Sequence, residues 1–209
     1  MSPIPSDEPR SERNPEATRQ RILLAAFEEI HRKGYQGMRV DDVLRATGLT
    51  KGGLYHHFSN KKALGYAVVE QVIAGMIDRF WLEPLRDAED PLAAIQGILR
   101  HLLEAELAQE MIELGCPLNN LAQEMSPLDE GFRRRLDRVF QQWHQGLVDA
   151  LEAGKRAGKV RSDIDSQRTA TFVQGAIEGC IGMAKNAQTK ERFATCSAGL
   201  GDYLQSLRP

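Results

Sequence analysis

The stretch from Val40 to Phe58, VDDVLRATGLTKGGLYHHF, leaves the chain few ways to fold. Val40, Val43 and Leu44 fall at i, i+3 and i+4, which gives a short helix one apolar face and leaves Asp41, Asp42 and Arg45 on the other. Gly48 ends that helix, because glycine accepts positive φ without a side-chain penalty, and Leu49 offers an apolar plug under the turn. Thr50 is then the natural N-cap of a second helix, KGGLYHHF, whose Leu54 and Phe58 turn inward at i, i+4. Lys51, Tyr55, His56 and His57 are left facing outward. Helix, tight turn and second short helix make the layout of a helix-turn-helix unit.

That outward face suits a polyanion. Free N–H groups near Thr50, with Lys51 beside them, favour phosphate at the helix start, and Tyr55, His56 and His57 can donate to phosphates or base edges. From Glu16 to Lys33, Ile22, Leu23, Ala26, Phe27 and Ile30 form one stripe of a bracing helix, which Gly34 ends after His31, Arg32 and Lys33. Asn60 is placed to cap a fourth helix, and Lys61 and Lys62 in its first turn oppose the dipole but suit a phosphate.

The runs TRQRILLAAFEEIHRKGYQG, VDDVLRATGLTKGGLYHHF and NKKAL together resemble the N-terminal domain of TetR-family transcriptional regulators. Gly48, Leu49, Thr50, Gly53, Leu54, Tyr55, Phe58, Lys61 and Leu64 all fall at mutually consistent spacing, over residues 16 to 66. The resemblance implies an all-α fold, with a three-helix DNA-binding domain followed by a larger helical ligand-binding and dimerisation domain. It also implies a DNA-backbone contact for Lys61. The expected DNA-binding set is Arg39, Thr50, Lys51, Gly52, Gly53, Tyr55, His56, His57 and Lys61. Gly52 and Gly53 each cost the second helix about 1 kcal/mol relative to alanine, so it is expected to be frayed until DNA holds it. Gly53 also removes a side chain where many relatives carry a small one. Base reading then falls on Lys51, His56 and neighbours such as Arg39 or Arg45, or on close backbone approach.

A net charge of −2 looks wrong for a DNA binder until it is divided along the chain. Between Arg10 and Tyr66 eleven basic side chains face six acidic ones, so the acidic balance lies in the remainder. Residues 1–15, MSPIPSDEPRSERNP, have too few apolar side chains to offset the entropy of ordering and are expected to form a flexible tail. Arg10 and Arg13 are alternatively within reach of a minor groove. The expected division is therefore a tail at 1–15, a DNA-binding domain at 16–66 and a regulatory and dimerisation domain at 67–209. No apolar leader or membrane-length run stands out, and a cytoplasmic setting is expected.

Beyond Asn60 the stripe Leu64, Val68, Val72 and Met76 carries the fourth helix from one domain into the other. Leu92, Ile95, Leu99, Leu102 and Leu103 predict a long helix ending by Gly115, and a short one follows from Pro117 to Met125. Phe132, Leu136, Val139, Phe140, Trp143, Leu147 and Leu151 mark the next. From Asp165 to Ala187 small residues such as Gly175, Gly179 and Gly182 permit close helix approach, either within the chain or at a subunit interface. In the resembled family the last two helices form a four-helix dimer bundle, which Thr189 to Arg208 would complete. A two-fold homodimer implies double-stranded DNA with a near-palindromic operator.

The resemblance also implies a small-molecule effector, of unknown identity, that favours the DNA-incompetent arrangement and so releases a repressor from its operator. His101, Met111, Cys116, Phe140, Trp143, His144, Phe172 and Met183 are the expected ligand-binding residues, since aromatic, Met and occasional polar groups line mostly apolar pockets. Cys116, Cys180 and Cys196 are too few and too far apart for a zinc cluster, and the expected setting disfavours a structural disulfide. Two roles fit Cys116: a packing residue, or a redox sensor whose thiol pKa is lowered at a helix start. The alternatives to an inducible repressor are thus an electrophile-sensing regulator acting through Cys116, or a helical dimer that binds other proteins and not DNA. No phosphate loop, metal-ligand pair or nucleophile-base arrangement stands out, so neither an enzyme nor a cofactor is expected.

Overall fold

The computed structural model describes residues 14–104 and 108–209, and every regular element among them is helical. Helix α1 (Pro15–Gly37) starts inside the expected tail, because the Asn14 side chain accepts hydrogen bonds from the Glu16 and Ala17 N–H groups and Pro15 needs no partner at the first position. The rest of that tail, with Arg10 and Arg13, lies outside the described residues. Ile22, Leu23, Ala26 and Ile30 are buried along the predicted stripe. Gly34, at φ 75° and ψ 164°, breaks the helix where the sequence ends it. The break is capped from elsewhere: the two carboxylate oxygens of Glu124 accept from the Tyr35 and Gln36 N–H groups, each at 2.8 Å. A Cβ on Gly34 would lie 2.8 Å from that carboxylate, so both the backbone angle and the cap call for glycine.

Helix α2 (Val40–Thr47) packs on α1, and α3 (Lys51–His57) packs on α2. Helix α4 (Lys61–Ala67) then opens a helical rod through a π turn (Val68–Ile73), α5 (Ala74–Ile77), a second π turn (Asp78–Leu82) and α6 (Glu83–Arg86). The expected stripe is spaced every fourth residue, and in an α-helix such a row drifts by roughly 40° per step. The wider π turns take up that drift. Leu64, Val68 and Val72 stay buried in one row, and Val69, Ile73, Ile77 and Trp81 in the next.

Helices α7 (Pro91–Glu104) and α8 (Ala108–Leu114) occupy the stretch expected as a single helix, with residues 105–107 outside the description. Gly115, at φ 80°, ends it as predicted. Helices α9 (Pro117–Met125), α10 (Glu130–Arg156), α11 (Ser166–Ala187) and α12 (Lys190–Ser206) complete the chain. One expectation is overturned here: Cys180 and Cys196 form a disulfide, their Cα atoms 5.3 Å apart. Their separation of 16 residues hid this, because α11 and α12 pack against each other along their length and bring the two positions face to face.

Besides the Glu124 cap, an aromatic seam joins the N-terminal helices to the rest. Phe132, fully buried, packs its ring 4.5 Å from Tyr35 and 4.8 Å from Tyr66. Beside it Asp129 caps α10 at the Phe132 N–H, accepts from the Tyr66 hydroxyl at 2.7 Å and pairs with Lys62 at 2.8 Å. Lys62 and Tyr66 as donors hold the Asp129 carboxyl far below the usual range. Arg135 stacks on Tyr66, 3.9 Å from the ring centre, and pairs with Glu70 at 2.9 Å.

Candidate functional site

The expected turn forms as the residues dictate. Gly48 stands at φ 67° and ψ 18° in the left-handed region, and the Thr50 hydroxyl accepts from the Gly53 N–H at 3.2 Å. Leu54 and Phe58 are buried, and Leu49 is half-buried beneath the turn. With the inner side anchored, the outer side of α3 is free: Thr50, Lys51, Gly52, Tyr55 and His56 are exposed, and Gly53 and His57 half-exposed. Arg39, just before α2, is exposed as well. Neither Lys51 nor Arg39 makes an ion pair with a described residue. Arg45 differs, for it pairs with Asp42 at 3.1 Å. Around Gly52 a Cβ would meet nothing within 4 Å, so another backbone or a base can approach closely there.

The lysines that follow are partly engaged. Lys61 donates to the Gln36 carbonyl at 3.3 Å and lies 4.8 Å from the Tyr35 ring centre, and burial lowers its pKa. Lys62, expected to suit a phosphate, is held by Asp129.

The pocket residues expected from sequence are scattered. Met111 and Cys116 line a pocket of about 210 Å³. Its walls are Phe27 and His31 of α1; Ile73, Met76, Ile77, Phe80 and Trp81 of the rod; Leu102, Glu110, Met111, Gly115, Cys116 and Pro117; and Ile181 of α11. The other candidates sit elsewhere. Trp143 is buried behind the wall, its ring 4.8 Å from Trp81. The Phe140 carbonyl accepts from Gln174, and His144 reaches the Gln167 carbonyl and the Thr171 hydroxyl at 3.2 and 3.1 Å. His101 is exposed on α7, and Phe172 and Met183 are exposed on α11. Phe27 and His31 were missed because their spacing assigns them to the brace of the DNA-binding unit, and Trp81 because the π turns move it inward. Three larger depressions carry charged walls: one of about 470 Å³ with Arg32, Glu124 and Lys185, one of about 830 Å³ with Glu70, Asp78, Arg86 and Arg156, and one of about 470 Å³ with Arg161, Asp163 and Arg168.

Cys116 does stand at the start of α9, but the expected lowering of its pKa is overturned. Burial, with the carboxyl of Glu178 beside it, pushes the thiol well above its ordinary value, and the helix N–H groups only partly oppose this. Glu178, 9 % exposed on α11, has no hydrogen-bond partner for either oxygen among the described residues. Burial raises it to about 7.

Among the described residues no cluster of His, Cys, Asp or Glu could hold a metal ion, and no helix is long and apolar enough to cross a membrane. On α11, Phe172, Gly175, Gly179 and Gly182 recur at i, i+3, i+7 and i+10, all exposed, and a Cβ on any of the three glycines would meet nothing within 4 Å. Phe172 packs on Tyr203 of α12, with ring centres 4.7 Å apart.

Residues 22–68 match the model of the bacterial regulatory proteins of the tetR family, and residues 91–199 that of the tetracyclin repressor-like C-terminal domain. The chain is 29 % identical over 180 residues to the transcriptional regulator AcuR of Cereibacter sphaeroides, covering 85 % of this chain and 80 % of that one. It is 28 % identical to the HTH-type transcriptional repressor DhaR of Mycobacterium sp. strain GP1, covering 85 % and 88 %. Among solved structures, the regulatory protein TetR from Rhodobacter sphaeroides superposes with a TM-score of 0.79 at 27 % identity, over 88 % of this chain and 97 % of that one.

Proposed function

The chain belongs to the TetR family and is a DNA-binding transcriptional regulator, not an enzyme; from that premise we propose that it is a repressor released from a near-palindromic operator when a small molecule fills the pocket behind α1. Regulators of this family bind operator DNA as dimers and respond to small-molecule effectors. One observation carries the DNA contact: Lys51 at the capped start of α3, and Tyr55 and His56 further along it, stand exposed, while Leu54 and Phe58 clamp its other side. The dipole and free N–H groups there take phosphate, and the two histidines, Lys51 and Arg39 supply donors for base edges. Thr50, Gly52, Gly53, His57 and Lys61 complete the proposed contact set; Lys61 would have to leave the Gln36 carbonyl to join it.

Residues 16–66 form the DNA-binding part of this reading and 67–209 the regulatory part, with the α4–α6 rod crossing between them. The exposed small-residue face of α11, with α12 beside it, is the proposed dimer surface, since missing side chains let two backbones approach. A two-fold dimer presents two α3 helices to major-groove faces about 34 Å apart, which is why the operator should read as a palindrome.

The test is a mobility shift with the promoter region adjoining the gene for this chain, repeated across salt concentrations. Lys51→Ala should weaken binding about tenfold and flatten the salt dependence by about one counterion. Equal affinity of the unaltered protein for that fragment and for scrambled DNA would overturn the assignment of α3 as a reader.

A further inference from the structure

Helices α11 and α12 are joined by a bond that their setting does not favour. DNA in a cell lies where cellular thiols keep cysteines reduced, and a disulfide in a protein working there is as a rule transient, and catalytic or redox-sensing. Cys180 on α11 and Cys196 on α12 stand equally far along the chain from the corner at Gln188. That corner is tied to α8, for Gln188 donates to the Ile112 and Glu113 carbonyls, each at 3.2 Å. The far end of α12 is tied as well: Gln96 donates to the Gly201 carbonyl and accepts from Gln205, and Arg208 pairs with Asp90 at 2.8 Å. From Lys190 to Leu200, by contrast, every hydrogen bond among the described residues is local to the helix and its cap. Phe193 and Leu200 pack inward there, and the sulfur bridge adds the cross-link. Opening the bridge therefore leaves α12 docked and loosens one half of it.

We infer that Cys180 and Cys196 are a reversible oxidation site: hydroperoxides close the bridge by way of Cys196, cellular thiols reopen it, and closure tightens operator binding. Cys180 has no exposed surface, whereas Cys196 is half-buried, so a reagent from solution meets Cys196 first. Cys196 falls in the row of Phe193 and Leu200, off the exposed face of Thr195, Ala198 and Gly199. Its thiolate takes the terminal oxygen of the hydroperoxide: the O–O bond breaks, an alcohol leaves with a proton, and Cys196 becomes a sulfenic acid. The Cys180 thiol then attacks that sulfur, the S–O bond breaks, and water leaves as the disulfide forms. Two electrons have passed from the two sulfurs to the peroxide. In reverse, a glutathione thiolate attacks the Cys196 sulfur and Cys180 leaves as a thiol. A second glutathione then frees Cys196, and glutathione disulfide is the product. Cys116 stays outside this chemistry, since burial and Glu178 keep its thiol protonated. Gly179 and Gly182 flank Cys180 on the exposed face proposed to meet a second chain. A bridge beside them fixes that surface before association and lowers the ordering cost of the dimer that grips the operator. The link to DNA rests on α11 and α12 being the dimer surface; the oxidation site does not.

The full chain is treated with tert-butyl hydroperoxide or with millimolar reduced glutathione, and its thiols are alkylated and weighed. The oxidised chain should yield a cross-linked Cys180–Cys196 peptide, with Cys116 still alkylated after unfolding, and glutathione should reopen the bridge in the folded chain. In Cys180→Ser, dimedone should trap a sulfenic acid on Cys196; in Cys196→Ser it should trap none on Cys180. In a mobility shift the oxidised chain should bind the promoter fragment about fivefold tighter than the reduced one. Cys116→Ser should keep that gain and Cys196→Ser should lose it. If the serine variants do not fold, the oxidised and reduced forms of the unaltered chain decide. A bridge that glutathione leaves closed in the folded chain is a permanent staple and overturns the inference, as does a dimedone adduct on Cys116 alone. Equal affinity of the two forms overturns the control of DNA. Sedimentation of both forms as monomers overturns the dimer reading instead and leaves the oxidation site standing.

Discussion

Helix α3 and the pocket behind α1 are built by opposite means. The α3 surface is local: a glycine turn, one threonine cap and two inward side chains place every group that faces outward, all within residues 48–58. The pocket is assembled from distant segments, with Phe27 and Trp81 and Ile181 meeting only after the rod and α11 have packed. Short-range assembly leaves α3 tolerant of change at its surface. The pocket and the seam above it depend instead on packing between the two parts of the chain, so one substitution there should be felt by both.

Phe132→Ala is the most damaging way to break that contrast. It removes a fully buried ring from between Tyr35 and Tyr66, and about 3–5 kcal/mol of stability should go with it in urea unfolding. A loss comparable to an exposed-site change would mean that the seam is not packed as described. Next in size is Glu178→Gln. Its carboxyl titrates near 7 in the folded chain against an ordinary 4.5, so the folded state binds this proton more tightly than the unfolded one. Stability is then highest below about 4.5 and falls as the pH climbs toward 7. Melting curves should show the glutamine variant gaining up to about 3 kcal/mol at pH 8 and almost nothing at pH 4. A gain independent of pH would assign the effect to packing. The smallest change sharpens the local side: Gly52→Ala has open space for its methyl group and should stabilise the chain by up to about 1 kcal/mol. Its operator affinity should fall if α3 approaches DNA through its backbone there.

The same contrast decides what the sequence discloses. Gly48, Thr50, Leu54 and Phe58 announce the turn because each owes its place to its near neighbours. The cap at Asn60 follows from its near neighbours too, whereas Asn14 caps α1 from inside the stretch expected as a tail. The pocket does not, since composition singles out aromatic and sulfur side chains without saying which way they point. Phe140 and Trp143 sit on helix α10, outside the pocket's described walls, whereas His31 looks like a helix-end cation and is part of one. Cys116 shows a further limit. Its position at a helix start is visible in sequence, but the burial that outweighs the dipole is not, nor is the Glu178 carboxyl that adds to it from more than sixty residues away.

The crimp at Gly34 carries a practical corollary. Two main-chain amides of the reading head, at Tyr35 and Gln36, are satisfied only by an acid that belongs to the body. Anyone transplanting residues 16–66 onto a foreign scaffold must therefore supply a carboxylate in the place of Glu124, or the graft will arrive with the two amides beyond Gly34 unmatched.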